Sequence, residues 1–93
     1  MLSEQAHYVY IVRCADGSLY TGYARDPQER EKVHNTGRGA KYTSRRLPVS
    51  LVYSEACESR SAALKREYQV KRLSRTAKER LLIEGIFTAL KTK

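Results

Sequence analysis

A chain of 93 residues with a formal net charge of +8 and a sequence pI of about 9.8 has room for one small core, and it reads as a single domain over 1–93, patterned at about 7–83 and loose at 1–6. No run is apolar enough to span a membrane, no leader pattern is visible, and Cys14 and Cys57 have neither metal nor redox spacing; the expectation is a cytoplasmic protein with reduced thiols and no membrane partner. The basic balance points instead to a polyanionic partner, most often nucleic acid.

In chain order, the first patterned stretch is Tyr8-Val9-Tyr10-Ile11-Val12, followed by Ala15-Asp16-Gly17 and Leu19-Tyr20-Thr21-Gly22-Tyr23. Asp-Gly between β-formers predicts a hairpin, with strands over about 8–14 and 18–24. The first strand opens apolar on both faces, which suits a central strand covered on both sides. His7 reads as an exposed residue at its start. A two-residue loop would set Arg13 opposite Tyr20. A three-residue loop (Ala15, Asp16, Gly17) sets Val12 opposite Tyr20 and Tyr10 opposite Gly22, so that both tyrosines share a face. A type I turn with Gly17 at positive φ produces the second register, which is the one expected. Gly22 marks a bulge or a close approach of other backbone.

A helix is expected over about 27–35, with Asp26 as N-cap, Pro27 at the first position and Glu29 three residues after the cap. At 100° per residue Pro27, Arg30, Val33 and His34 share the inward face, while Gln28, Glu29, Glu31 and Lys32 face solvent. Residues 35–48 read as a loop by composition. Its glycines, hydroxyls, cations and Tyr42 suit phosphate contacts with an aromatic able to stack. A third strand follows Pro48 over about 49–54. Ser59 or Ser61 caps a helix running to Leu73, whose apolar arc is Ala63, Leu64, Val70 and Leu73. Glu67 falls inside that arc. A core-side carboxylate is costly unless it is paired or holds a cation, so Glu67 fits either a buried Glu–Arg or Glu–Tyr pair or a metal ligand. A last helix from Ser74 to about Leu90 carries Leu82, Ile83, Ile86, Phe87, Ala89 and Leu90 as a structural stripe.

The inward polar groups are therefore Tyr10, Tyr20, Arg30, His34 and Glu67. No Ser-His-Asp set, zinc spacing or P-loop glycine pattern accompanies them. One carboxylate can hold one Mg2+ or Mn2+ when water and a substrate phosphate complete the shell. A guanidinium can stabilise charge on phosphoryl oxygens, and a phenol or imidazole can help take a proton from water. These are the parts of a metal-assisted phosphodiesterase. Read alone, His34 is more simply a core histidine satisfied by hydrogen bonds, and its place beside a tyrosine-rich hairpin is what turns it toward chemistry.

The order Tyr8-Val9-Tyr10, Tyr20-Thr21-Gly22, Arg30, His34, together with His34–Thr43 (HNTGRGAKYT), Leu51–Glu55 (LVYSE) and Ala63–Arg75 (ALKREYQVKRLSR), resembles the GIY-YIG nuclease superfamily. It is similar to the small stand-alone bacterial GIY-YIG proteins of uncharacterised function and to the catalytic domain of structure-specific flap and junction nucleases. The resemblance implies an α+β fold, a small three-stranded antiparallel sheet flanked by three helices. It implies a DNA endonuclease with one divalent cation, Mg2+ or Mn2+, and catalytic groups at Tyr10, Tyr20, Arg30 and His34. Tyr10, assisted by His34, would act as base toward water or orient it, Tyr20 would bind phosphate or shape the site, and Glu67 would be the metal ligand. Tyr8 stands in place of the motif's glycine and Thr21 in place of its isoleucine; both are backbone or packing positions. The asparagine that some members carry after the glutamate helix has no clear counterpart.

The clustered cations and Tyr42 give the expected nucleic-acid contacts: Arg25, Arg38, Lys41, Tyr42, Arg45, Arg46 and Lys71. The leading reading is an endonuclease acting on branched or damaged DNA in repair or recombination. The alternative is a non-catalytic nucleic-acid-binding module that keeps the nuclease fold.

Overall fold

A computed structural model describes residues 6–91, with the side chains of the last helix described as far as Gly85. The elements run β1 (His7–Arg13), β2 (Leu19–Ala24), α1 (Pro27–Asn35), α2 (Lys41–Ser44), β3 (Ser50–Cys57), α3 (Arg60–Lys71) and α4 (Arg75–Lys91). The sheet is three-stranded in the order β2-β1-β3, and both pairings are antiparallel. The α+β architecture is the expected one, with three long helices and the single turn of α2 added inside the 35–48 loop.

The hairpin closes as the three-residue form. The Cys14 N–H donates to the Ser18 carbonyl at 2.8 Å, and Gly17 adopts φ +87°. Val12 therefore pairs with Tyr20, and Tyr10 with Gly22. Alternation then sorts the sheet into two faces. Tyr10, Val12, Cys14 and Ala24 pack with Val49, Tyr20, Leu47 and Leu51 on one face. Val9 and Ile11 pack with Ala63, Val70 and Leu82 on the other. Because β1 is central, both sets are removed from water, as its doubly apolar sequence requires.

The helices begin where their caps predict. Asp26 accepts from the Glu29 N–H at 3.2 Å, Ser59 from Ala62 at 3.0 Å and Ser74 from Ala77 at 3.1 Å; each satisfies an orphan N–H of a first turn. A bidentate ion pair joins α4 to the hairpin: Arg13 donates to Glu79 at 2.9 and 3.0 Å.

Several expectations are corrected. Glu31 does not face solvent; its carboxylate accepts from the Leu51 N–H at 2.7 Å, beside the irregularity at Ile11/Val12 in the β1–β3 pairing. One turn later the Asn35 side chain exchanges two hydrogen bonds with the Val49 backbone, at 2.8 and 3.0 Å. These two contacts bind β3, an edge strand, to α1, and β3 extends to Cys57 rather than stopping at about 54. Leu64, Leu73 and Ile83 are exposed instead of buried, because α3 and α4 each turn only a narrow stripe onto the sheet. His7 is half-buried, its ring bonded to the Tyr23 hydroxyl at 2.8 Å. Both cysteines are free. Ile86, Phe87, Ala89 and Leu90 lie outside the residues whose side chains are described.

Candidate active site

The site begins with the close approach at Gly22. A Cβ there would stand 2.5 Å from the Tyr10 hydroxyl and 2.9 Å or less from two ring carbons. Only a bare α-carbon lets the phenol lie across β2, so Gly22 marks a close approach and not a bulge in the β1–β2 pairing. β2 is the edge strand on this side, and the Tyr10 hydroxyl is thereby carried toward the sheet edge.

There it meets His34. Tyr10 is 1% and His34 0% exposed, and the Tyr10 hydroxyl lies 2.7 Å from His34 Nε2. The other ring nitrogen, Nδ1, lies 2.9 Å from Thr43 Oγ1. The Thr43 hydroxyl donates to the Ala40 carbonyl at 3.0 Å, which leaves its oxygen free to accept from Nδ1–H. The Ala40 N–H points both at Thr43 Oγ1, at 3.3 Å, and at Nδ1, at 3.4 Å, so these bonds are compatible with either tautomer; with the proton on Nδ1, Nε2 is the acceptor for the Tyr10 phenol. The short helix α2 thus holds the histidine ring from behind. Gly39 makes room for it, since a Cβ there would stand 2.2 Å from Nδ1.

The remaining groups gather around this pair. Tyr20 lies on the same face as Tyr10, its ring edge-on to His34 at 5.5 Å between centroids. Arg30, half-buried one turn before His34, acts electrostatically on both Tyr10 and His34. Burial raises the pKa of the Tyr10 phenol, with the Arg30 guanidinium opposing and Tyr20 and Glu67 adding. Burial, and secondly Arg30, lowers that of His34. The resting pair is therefore a neutral phenol bonded to a neutral imidazole. Glu67 comes from α3, on the opposite face of the sheet, yet lies within electrostatic reach of Tyr10 around the β2 edge.

Glu67 is the carboxylate for which the sequence left two readings. Its side chain is 17% exposed, and Lys71 Nζ lies 3.1 Å from Oε2. Among the described residues no group of three or more His, Cys, Asp and Glu could hold a metal ion together. A single hard oxygen donor suits Mg2+ or Mn2+ where water and a substrate phosphate supply the other ligands. The donor set fits a substrate-completed ion, and it does not fit a cage built by the protein.

The expected nucleic-acid contacts divide into two groups. Arg38, Lys41 and Arg45 are exposed around α2, and Lys71 lies beside Glu67 on α3. Arg25 donates through Nε to the Ala6 carbonyl. Arg46 is engaged within the protein: it pairs with Asp16 at 3.1 Å, donates to the Tyr42 carbonyl at 2.7 Å and covers the Tyr42 ring at 3.8 Å. Tyr42 also stacks on Tyr20 at 6.0 Å, so its ring ties α2 to β2. Sequence reasoning missed Gly39 and Thr43. Both lie in the HNTGRGAKYT segment, but their service to His34 depends on how the loop folds back.

Comparison with known proteins supplies the class. The chain belongs to the GIY-YIG family, whose catalytic-domain model matches residues 6–80; it is a member of a nuclease family whose enzymes generally use divalent metal ions. More narrowly, it is 58% identical over 79 residues to UPF0213 proteins of Staphylococcus saprophyticus and Staphylococcus aureus, covering 85% of this chain and 96% of each relative. The solution NMR structure of a UPF0213 protein from Bacillus halodurans is similar at 51% identity and a TM-score of 0.56, covering 86% of both chains. That of a protein from E. faecalis is similar at 41% identity and a TM-score of 0.56, covering 87% of this chain and 88% of that one. No helix among the described residues is long and apolar enough to cross a membrane.

Proposed function

We propose that this protein is a metal-dependent DNA endonuclease of the cytoplasm that hydrolyses phosphodiester bonds in branched or damaged DNA, in repair or recombination. The observation that carries the reading is the buried 2.7 Å bond from the Tyr10 hydroxyl to His34 Nε2, with Arg30, Tyr20 and Glu67 acting on the same phenol. A core that needed only packing would place a phenylalanine there, since a buried hydroxyl without a partner is costly.

In this reading His34 Nε2 accepts the Tyr10 proton as the phenolic oxygen takes one from the attacking water. The transfer uses the tautomer with its proton on Nδ1, in which Thr43 Oγ1 accepts from the ring. Arg30 offsets negative charge on the phosphoryl oxygens and on the phenolate. Tyr20, half-buried beside His34, contacts the phosphate or closes the wall of the site. Glu67 would hold the divalent cation, Mg2+ or Mn2+, which when bound supplies Lewis-acid stabilisation of the leaving oxygen. Arg38, Lys41, Arg45 and Lys71 would contact the backbone of the DNA.

The Lys71–Glu67 pair gives the alternative its own support. An ammonium already neutralises the carboxylate, as it would in a binding module that retains the fold without turnover. Cleavage of plasmid and branched DNA in Mg2+ or Mn2+ decides between them, with Glu67→Gln and Arg30→Ala as comparisons. Endonuclease function predicts nicking by the wild type and its loss, by about 100-fold or more, in both variants. Equal DNA binding by all three proteins with no cleavage by any would leave the binding module.

A further inference from the structure

Beside the site lies a cleft of about 240 Å³, lined by Leu19, Tyr20, Thr21, Tyr42, Lys71 and Lys78. Four elements meet in it: the edge strand β2, the short helix α2, α3 and α4. Lys78 belongs to α4, the helix whose sequence reads as purely structural. Among the described residues it has no carboxylate within 4.0 Å, whereas Lys71 has Glu67 and Arg75 has Glu79. Lys78 is half-buried, and burial, then the nearby Lys71 ammonium, lowers it from its ordinary pKa. Thr21 forms part of the wall. It is 2% exposed, and its Oγ1 has no hydrogen-bond partner among the described residues.

We propose that this cleft is a subsite for a second, non-scissile phosphate of the nucleic-acid backbone, held between Lys71 and Lys78 against the Tyr20–Thr21 edge of β2. Two cations lining one cleft, Lys78 half-buried and Lys71 exposed, are stabilised by an anion placed between them, and a tetrahedral phosphate fits a cleft of this size. Tyr20 lines the cleft and also touches His34 on its other side. A phosphate seated here would fix the neighbouring phosphate, one backbone step away, opposite Tyr10 and Arg30. Lys71 would exchange Glu67 for the phosphate, so the substrate that fills the cleft also releases the carboxylate. The inference deepens the proposed function and rests on its reading of the site as one for a nucleic-acid backbone.

The test is binding of a short DNA duplex without divalent metal, measured across salt concentration. Each phosphate neutralised by a lysine contributes about 0.9 to the slope of log K against log salt. Lys78→Gln should weaken binding and reduce the slope by about one unit, while Lys78→Arg should restore both. In the wild-type protein, inorganic phosphate should shift the amide NMR signals of Tyr20, Thr21 and Lys78 ahead of those elsewhere. An unchanged slope in Lys78→Gln, or phosphate shifts confined to other segments, overturns the subsite. A protein that binds with the lysine-dependent slope but never cleaves loses the endonuclease reading and keeps the subsite. One that cleaves with the slope unaffected by Lys78→Gln loses only the subsite.

Discussion

The two faces of the β-sheet are built from alternate residues of the same strand, and they are filled by different chemistry. Beneath α3 and α4, Val9 and Ile11 meet Ala63, Val70 and Leu82 in an apolar layer, with the Arg13–Glu79 and Arg66–Glu55 ion pairs at its margins. Beneath α1 and α2, Tyr10 and Val12 share their face with two fully buried polar groups, His34 and Thr43. Every ring atom of the Tyr10–His34–Thr43 chain that can bond does so, so the second face keeps a polar network at little net cost. Both sides of β1 bury apolar groups, and the second side adds the polar chain proposed as the catalytic relay.

Substitutions one residue apart on β1 should separate the two roles. Ile11→Ala is expected to cost about 2–5 kcal/mol in urea unfolding while leaving cleavage per folded molecule unchanged. Tyr10→Phe should cost less, about 1–3 kcal/mol for the unpaired His34 nitrogen, yet lower cleavage by roughly 100-fold or more. Equal loss of activity in the two variants would erase the distinction between the faces. Gly39→Ala sharpens it: its Cβ would stand 2.2 Å from His34 Nδ1, so the ring must move off Tyr10. The expected result is a shifted His34 imidazole resonance and lost cleavage, with the apolar face intact by hydrogen exchange.

The pH dependence should differ as well. His34 is held below its ordinary pKa of 6.5 by burial and Arg30, so it remains neutral and able to accept a proton at lower pH. The acid limb of a cleavage profile should therefore fall below 6.5. For folding, the unfolded chain binds this proton first, so stability declines as pH drops from the ordinary value toward the lowered one. The smallest effect belongs to Glu79, which Arg13 and then Arg75 hold down to about 2, from 4.5. Its depressed pKa contributes stability that is full above 4.5 and is lost as pH falls toward 2. The urea midpoints of wild type and Glu79→Gln should differ near neutrality and converge at about pH 2; this pair is partly exposed, so salt should also reduce the difference.

Much of this is legible in local sequence because it rests on local rules. Ala-Asp-Gly selects a loop of odd length, and that parity alone puts Tyr10 and Tyr20 on one face. Asp26 and Pro27 start α1, and helical spacing then turns Arg30 and His34 inward. Glu31 was misjudged by the same spacing, because the wheel does not show an edge strand approaching the helix flank. Tyr42 and Arg46 read as contacts for DNA, and the local sequence does not show that the fold also engages them with Tyr20 and Asp16.

What the sequence determined by itself is the parity of the hairpin, the caps and faces of the helices and the set of polar groups turned toward the core. These follow from interactions within a few residues, where φ/ψ preference and side-chain period decide. What only the tertiary structure decided is which of those groups meet. Thr43 reaches His34 because the 35–48 segment folds back through α2, and Glu67 acts on Tyr10 because β2 is an edge around which groups from both faces can meet. Lys78 joins them from α4, a helix with no local sign of function. Such contacts depend on strand order and helix docking, which are set by burial of the whole core and leave no period in the chain.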